Sequence, residues 1–139
     1  MLDMQSYGGT KQDMLTHLKT IHALKTGKMI IASTEAGAVS AGADNESTRC
    51  LVQYADRIGL AFQVVDDILN VEGDPEIMGK AAGSDSLNDK MTFPAIIGLD
   101  QSKTYAKDLV EEAKDSLSLF GTRAAPLLSI ADYIINRDH

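Results

Sequence analysis

The sequence has 139 residues, of which 13 are Lys or Arg and 20 are Asp or Glu, so its formal net charge is −7. A composition of 44% hydrophobic and 24% charged residues is typical of a globular domain and excludes an intrinsically disordered chain. The acidic balance excludes the broad basic surface of a non-specific nucleic-acid binder, and no run of about 18 apolar residues predicts a membrane span. Cys50 is the only cysteine, and no secretory signal pattern opens the sequence, so we expect a reduced, cytoplasmic protein.

The first helical segment is predicted to begin near Thr10, which forms a capping-box-like pair with Asp13. Apolar residues at helical spacing extend this segment to Gly42, which is expected to stop it. Gly27 lowers helix stability by roughly 1 kcal/mol relative to Ala and is expected to mark a kink. The small residues at positions 32–41 predict a face that another backbone can approach closely.

The second helical segment has the clearest pattern in the sequence. Asn45 is predicted to cap it, and Gly73 is predicted to end it. One apolar stripe runs along it, formed by Leu51, Tyr54, Ile58, Phe62, Val65 and Leu69. The composition then turns to Gly, Asp, Lys and Ser over positions 75–91, which predicts a long loop, and loops of this length are usually functional or disordered.

Three further helices are predicted in the remainder of the sequence. A short helix has Pro94 in its first turn, a longer one runs from about Ser102 to Gly121, and the last opens at Pro126. No segment shows the alternation of apolar and polar residues that is typical of a strand. The predicted fold class is therefore all-α.

A group of hard oxygen ligands lies near the end of the second segment. Gln63, Asp67 and Asn70 fall on neighbouring turns of one helix face, with Asp66 beside them. Mg²⁺ usually takes one or two carboxylates together with substrate phosphates and water, so this face could hold a diphosphate through metal. Adjacent carboxylates on a helix also occur as a plain solvated face, and the motif alone does not separate the two interpretations.

Lysines in two other places could contact the same anion. Lys80 and Lys90 lie in the glycine-rich loop that follows the carboxylates, and lysine donates to phosphate oxygens as a compact charge. Lys25 and Thr26 precede the helix-weakening Gly27 in the first segment. A hydrated loop and an ordinary exposed helix face remain open as alternatives for these residues.

These residues together resemble the C-terminal half of a trans-isoprenyl diphosphate synthase, the family of farnesyl and geranylgeranyl diphosphate synthases. Matching stretches occur in the family's order along nearly the whole chain: His22-Ala-Leu-Lys-Thr-Gly27, Gly59-Leu-Ala-Phe-Gln-Val-Val-Asp-Asp-Ile-Leu-Asn70, Gly73-Asp74, Gly79-Lys80, Gly83-x-Asp85, Lys90-x-Thr92-x-Pro94 and Ala131-Asp-Tyr-Ile-Ile135. The resemblance implies an all-α isoprenoid synthase bundle, with two Asp-rich motifs facing a central cavity that holds Mg²⁺ and an allylic diphosphate.

The resemblance also implies a role for each candidate residue. Asp66, Asp67 and Asn70 match the second Asp-rich motif and are the implied metal ligands. Lys25 and Lys80 would contact the allylic diphosphate. The remaining matches line the substrate cavity: Thr26 and Gln63 beside the developing cation, Phe62 near the isopentenyl group, Lys90 as a further substrate contact, and Arg137 as a counterpart of the family's basic tail.

Two departures from the family pattern bear on activity. Asn70 stands where the motif normally ends in Asp, and a neutral amide holds a metal or its water more weakly than a carboxylate does. The first Asp-rich motif is absent, because the chain contains no other Asp-Asp pair. Since Met1-Leu2-Asp3 resembles the last three positions of the family's Gly-Gln-x-x-Asp segment, residues 1–139 are expected to form one helical region, the C-terminal part of the synthase domain.

The implied reaction is the condensation of an allylic diphosphate with isopentenyl diphosphate, and residues 1–139 alone are expected to be inactive. The alternative is a non-catalytic helical partner or regulatory subunit of a prenyl synthase. The family resemblance implies a homodimer. We also expect self-association, since the small residues at positions 32–41 and the stripe at positions 51–69 would be exposed.

Overall fold

The computed structural model describes residues 8–73 and 91–137, and every regular element in these two ranges is helical. In chain order the elements are α1 (Lys11–His22), a π-helical turn (Ala23–Gly27), α2 (Lys28–Ser40), α3 (Asn45–Glu72), α4 (Phe93–Ile97), α5 (Leu99–Ser116), a 3₁₀ segment (Ser118–Ala124) and α6 (Ala125–Asn136). The predicted all-α class is confirmed. None of the helices in the described ranges has the length and apolar character needed to cross a bilayer.

The ends of the first segment follow the sequence signals. Asp13 N–H donates to the Thr10 hydroxyl at 3.2 Å, and Thr10 N–H donates to the Asp13 carboxylate at 2.8 Å, which completes the predicted capping box. The Thr10 hydroxyl also donates to the Asp13 carboxylate at 2.7 Å, and this hydrogen bond, together with that from Thr10 N–H, lowers the pKa of Asp13. At the other end, Gly42 adopts a φ of +71°, and the N–H groups of Gly42 and Ala43 donate to the carbonyls of Val39 and Ala38. This is a Schellman-type stop, for which glycine is favoured.

The kink expected at Gly27 is a full π-helical turn over Ala23–Gly27. Here α3 comes very close, since a Cβ placed on Gly59 would lie 3.2 Å from the Cα of Gly27. Both glycines are buried, so the close backbone approach is made at this crossing. The small-residue face at positions 32–41 is exposed except for Thr34 and the buried Ala38, which confirms the exposure expected for this chain alone.

Helix α3 is the centre of the core and packs mainly against α5 and α2. Its N-cap is Asp44, whose carboxylate accepts from Ser47 N–H at 2.7 Å, so the predicted cap at Asn45 is wrong by one residue. Tyr54, Ile58 and Val65 of the predicted stripe are buried. The stripe is therefore covered within this chain, and the expectation that it would be exposed is wrong.

Tyr54 ties α3 to α6. Its hydroxyl donates to the Leu127 carbonyl at 2.8 Å, and burial raises the pKa of Tyr54 to about 12. The phenol therefore stays protonated and keeps donating throughout the neutral range.

The C-terminal helices begin close to the predicted positions but differ in extent. Helix α4 carries Pro94 in its first turn as predicted, and Thr92 caps it by accepting from Ala95 N–H at 3.3 Å. Helix α5 begins three residues before Ser102, because Gly98 adopts a φ of +88° and separates it sharply from α4. It also ends before Gly121, since the chain tightens into the 3₁₀ segment, in which Gly121 has a φ of +54°.

Candidate active site

Two of the candidate site residues lie on the face of α3 that packs against the first helical segment of the chain. Gly59, Gln63 and Asp67 recur at every fourth position, and all three are buried. Gly59 meets the π turn, and Asp67 meets His22 at the end of α1. Gln63 lies between these two contacts on the same face. The structure therefore brings Gln63 and Asp67 to the part of the chain that contains the predicted Lys25 and Thr26.

The carboxylate of Asp67 is held inside the protein. Its Oδ2 accepts from Phe93 N–H at 3.0 Å and lies 3.4 Å from Nε2 of His22. The His22 ring stacks on the Phe93 ring with centroids 5.7 Å apart and planes 15° apart. Asp67 thus contacts two segments that are distant from α3 in the sequence.

The neighbouring carboxylate faces a different part of the fold. Asp66 Oδ1 accepts from Nη2 of Arg137 at 3.0 Å, and the Asp66 side chain is 47% exposed. The same Arg137 nitrogen donates to the Phe62 carbonyl at 3.2 Å, and its guanidinium lies 4.1 Å above the Phe62 ring centroid. Side chains at adjacent helix positions point about 100° apart, which explains why the two carboxylates have different neighbours.

The other predicted site residues differ in exposure, and two of them lie outside the described ranges. Asn70 is exposed on the last turn of α3, away from the buried contacts of Asp67. Lys25 is exposed and Thr26 is half-buried in the π turn. Lys80 and Lys90 lie outside the described residues.

His22 is a further contact of the site that was not among the predicted site residues. It is the first residue of the stretch that carries Lys25 and Thr26, but nothing in the helical spacing indicates that its ring meets Asp67. Only the packing of α1 against α3 and α4 creates that contact.

The donor set fits Mg²⁺ only when a ligand supplies further oxygens. Among the described residues, no three side chains of the His, Cys, Asp and Glu types converge as a metal site would require. Asp66 offers a hard carboxylate with access to solvent, and Mg²⁺ commonly binds through one or two carboxylates, substrate phosphates and water. The described part of the site therefore suits a metal that arrives with a diphosphate, and it is not a preformed cage.

Known proteins match this chain over nearly all of its length. The family model for polyprenyl synthetase matches residues 1–118. A dimethylallyltranstransferase of Fischerella ambigua is 42% identical over 99% of this chain, and a geranylgeranyl diphosphate synthase of Cyanophora paradoxa is 39% identical over 100% of it. The crystal structure of an FPP/GFPP synthase from Zymomonas mobilis aligns with 86% of the chain at a TM-score of 0.72 and 38% identity. The chain spans only 39%, 46% and 38% of the lengths of these three proteins.

Proposed function

The chain belongs to the polyprenyl synthetase family, and we propose that it supplies the C-terminal part of a prenyltransferase that condenses an allylic diphosphate with isopentenyl diphosphate. The family match over residues 1–118 is the observation that carries this proposal. In such a reaction the C–O bond of the allylic substrate breaks, so that diphosphate departs and an allylic carbocation remains. The double bond of isopentenyl diphosphate attacks this cation, and the adduct then loses a proton to a base such as the released diphosphate. The protein must stabilise the departing anion and exclude water from the cation.

Asp66 and Lys25 are described candidates whose side chains are accessible to a diphosphate from solvent. Asp66 would hold Mg²⁺, which when bound supplies positive charge for the departing diphosphate. Lys25 is exposed on the π turn, where its ammonium can approach an anion from solvent. We propose Lys80 and Lys90 as further contacts to the diphosphates, and Asp67 and Asn70 are the other metal ligands that the family resemblance implies.

The residues proposed to surround the reacting carbons are more buried than those proposed to contact the diphosphate. Gln63 is buried on the α3 face that meets the π turn, and Thr26 is half-buried in that turn. Both are proposed to lie beside the developing cation, where a hydroxyl or amide dipole stabilises positive charge without reacting with it. Phe62 is proposed to contact the isopentenyl group, with its ring orientation set by the guanidinium of Arg137.

We expect residues 1–139 alone to be inactive, because the chain spans less than half the length of the two relatives and lacks a second Asp-Asp pair. The test incubates the chain, and separately a complete synthase that contains it, with geranyl diphosphate, labelled isopentenyl diphosphate and Mg²⁺. The complete synthase should form a labelled prenyl product, and the chain alone should not. Failure of the complete synthase would refute the proposed reaction, and equal turnover by the chain alone would refute its inactivity.

An exposed helix face favours a second candidate function, that of a non-catalytic subunit. Met29 is 74% exposed and Val39 is 66% exposed on α2, and Leu24 in the preceding π turn is 69% exposed. A segment that leaves several large apolar side chains exposed offers apolar surface for contact with another protein. We propose that this face, here termed the α2 face, contacts a second synthase chain, as either a homodimer or a regulatory pair.

The α2 face predicts self-association of this chain at micromolar concentration. Met29→Glu should shift the chain toward monomer, because a charge in the centre of an apolar contact loses hydration on association. Leu119→Glu is the matched control, since Leu119 is 50% exposed in the 3₁₀ segment and lies outside the α2 face. Sedimentation equilibrium of the three proteins measures the effect, and a strictly monomeric parent chain would contradict the prediction.

A further inference from the structure

Three segments of the chain meet at a single carboxylate oxygen. Oδ2 of Asp67 accepts from Phe93 N–H, 26 positions away in the sequence, and approaches Nε2 of His22, 45 positions away. Asp67 is 9% exposed and His22 is 8% exposed, so the contacts are enclosed by protein. The oxygen therefore joins α3 to the end of α1 and to the start of α4.

The start of α4 needs an acceptor at this point. The first N–H groups of a helix have no carbonyl partner within the helix, and when buried they require one from elsewhere. Thr92 satisfies the Ala95 N–H, and Asp67 satisfies the Phe93 N–H. Asp67 thereby fixes the position of the first residue of α4 against α3.

The end of α1 depends on the same carboxylate. The His22 ring stacks on Phe93, and its Nε2 is directed at Asp67. Nδ1 of His22 is buried without a hydrogen-bond partner among the described residues, so the contact to Asp67 is the polar interaction that orients the ring. The π turn with Lys25 and Thr26 follows directly after His22.

We propose that Asp67 and His22 form a positioning pair, which holds the Lys25–Thr26 turn and the start of α4 in place on α3, and that Asp67 is not a metal ligand. This inference rests on the proposed function, since it assigns different roles to the two carboxylates of one motif. The Asp66 side chain is 47% exposed and accepts one hydrogen bond, from Arg137 to Oδ1, whereas Asp67 is enclosed and its Oδ2 has two protein contacts. The role implied for Asp67 by the family pattern is thereby replaced by a structural one.

The first test follows amide hydrogen exchange by NMR in the metal-free chain. Asp67→Ala should raise the exchange rate of the Phe93 amide by at least about tenfold, because its acceptor is lost. Asp67→Asn should restore protection to within about threefold of the parent, since the amide oxygen can still accept. The Thr26 amide should exchange faster in both Asp67→Ala and His22→Ala, but not in the matched control Asp66→Ala.

The second test separates positioning from metal binding and does not depend on Asp67→Ala folding. Mn²⁺ binding in the presence of inorganic diphosphate is measured by electron paramagnetic resonance in a complete synthase that contains this chain. Asp67→Asn should keep the Mn²⁺ affinity within about threefold of the parent, and Asp66→Asn should weaken it by about tenfold or more. An equal loss in both variants, or unchanged Phe93 exchange in a folded Asp67→Ala chain, would overturn the proposal.

Neither measurement requires turnover, so different results would refute the positioning pair and the proposed reaction. A parent synthase that forms no prenyl product refutes the reaction, while the exchange rates still report on the pair. A parent that is active, with Asp67→Asn losing Mn²⁺ as Asp66→Asn does, refutes only the positioning role.

Discussion

Replacing Asp66 by alanine in a complete synthase that contains this chain is expected to lower kcat by about a hundredfold or more. The substitution removes a carboxylate that would hold Mg²⁺ and leaves the charge of the departing diphosphate less well compensated, an effect of roughly 3 kcal/mol on the barrier. The half-exposed position of Asp66 makes it the carboxylate of the pair with access to an incoming ligand. Initial rates over a Mg²⁺ titration, with the variant beside the parent, measure the loss.

Two further variants separate the explanations for that loss. Arg137→Ala breaks the same ion pair as Asp66→Ala but leaves the carboxylate in place, so it should not raise the Mg²⁺ concentration needed for half activity. Asn70→Asp adds a carboxylate one turn further along α3, and it should lower that concentration by less than about tenfold, since Asn70 is exposed at the end of the helix. Full activity of Asp66→Ala together with an inactive Asn70→Asp would contradict the assignment and favour the solvated-carboxylate interpretation.

The helical segments were predictable because their signals are local. The Thr10 and Asp13 capping box, the stop at Gly42 and the Pro94 start each depend on residues within one turn of the helix end. One error occurred where two neighbouring residues satisfy the same local rule. Asp44 and Asn45 are both good N-caps, and the side chain that reaches the Ser47 N–H decides between them.

The geometry around the candidate site residues could not be predicted from the sequence. Helical spacing places Asp66 and Asp67 near Gln63, yet it does not say which segment covers which side of α3. That depends on long-range packing: α1 and α4 cover Asp67, and the residue after α6 reaches Asp66. The different environments of the two carboxylates therefore could not be derived from spacing alone.

The close crossing of Gly27 and Gly59 is a second case in which long-range packing could not be predicted from local sequence patterns. Gly27 carries a local signal, a weak point in a helix, and the chain does depart from α-helical geometry there. The contact across this crossing requires glycine at position 59, since a Cβ there would lie 3.2 Å from the Cα of Gly27, whereas a Cβ on Gly27 would meet only atoms of its own segment, at 3.7 Å or more. A sequence pattern records the weakness of the helix at Gly27, whereas the need for glycine at position 59 comes from the tertiary structure.

Replacing Phe93 by alanine is expected to lower the free energy of unfolding of this chain by about 3–5 kcal/mol, the range found for buried aromatic side chains. The Phe93 ring is fully buried and lies between the rings of His22 and Tyr105, with centroid distances of 5.7 and 5.6 Å. Helix α4 has only five residues, so it has little capacity to hold its position once that ring is removed. Urea unfolding followed by circular dichroism measures the change.

Two further variants serve as controls for this prediction. Phe93→Leu should recover much of the loss by refilling the cavity, and Leu119→Ala, at a half-exposed position, should lower the free energy of unfolding by less than about 1 kcal/mol. If Phe93→Ala cost no more than Leu119→Ala, the packing of α4 between α1 and α5 would not be what holds this part of the fold together.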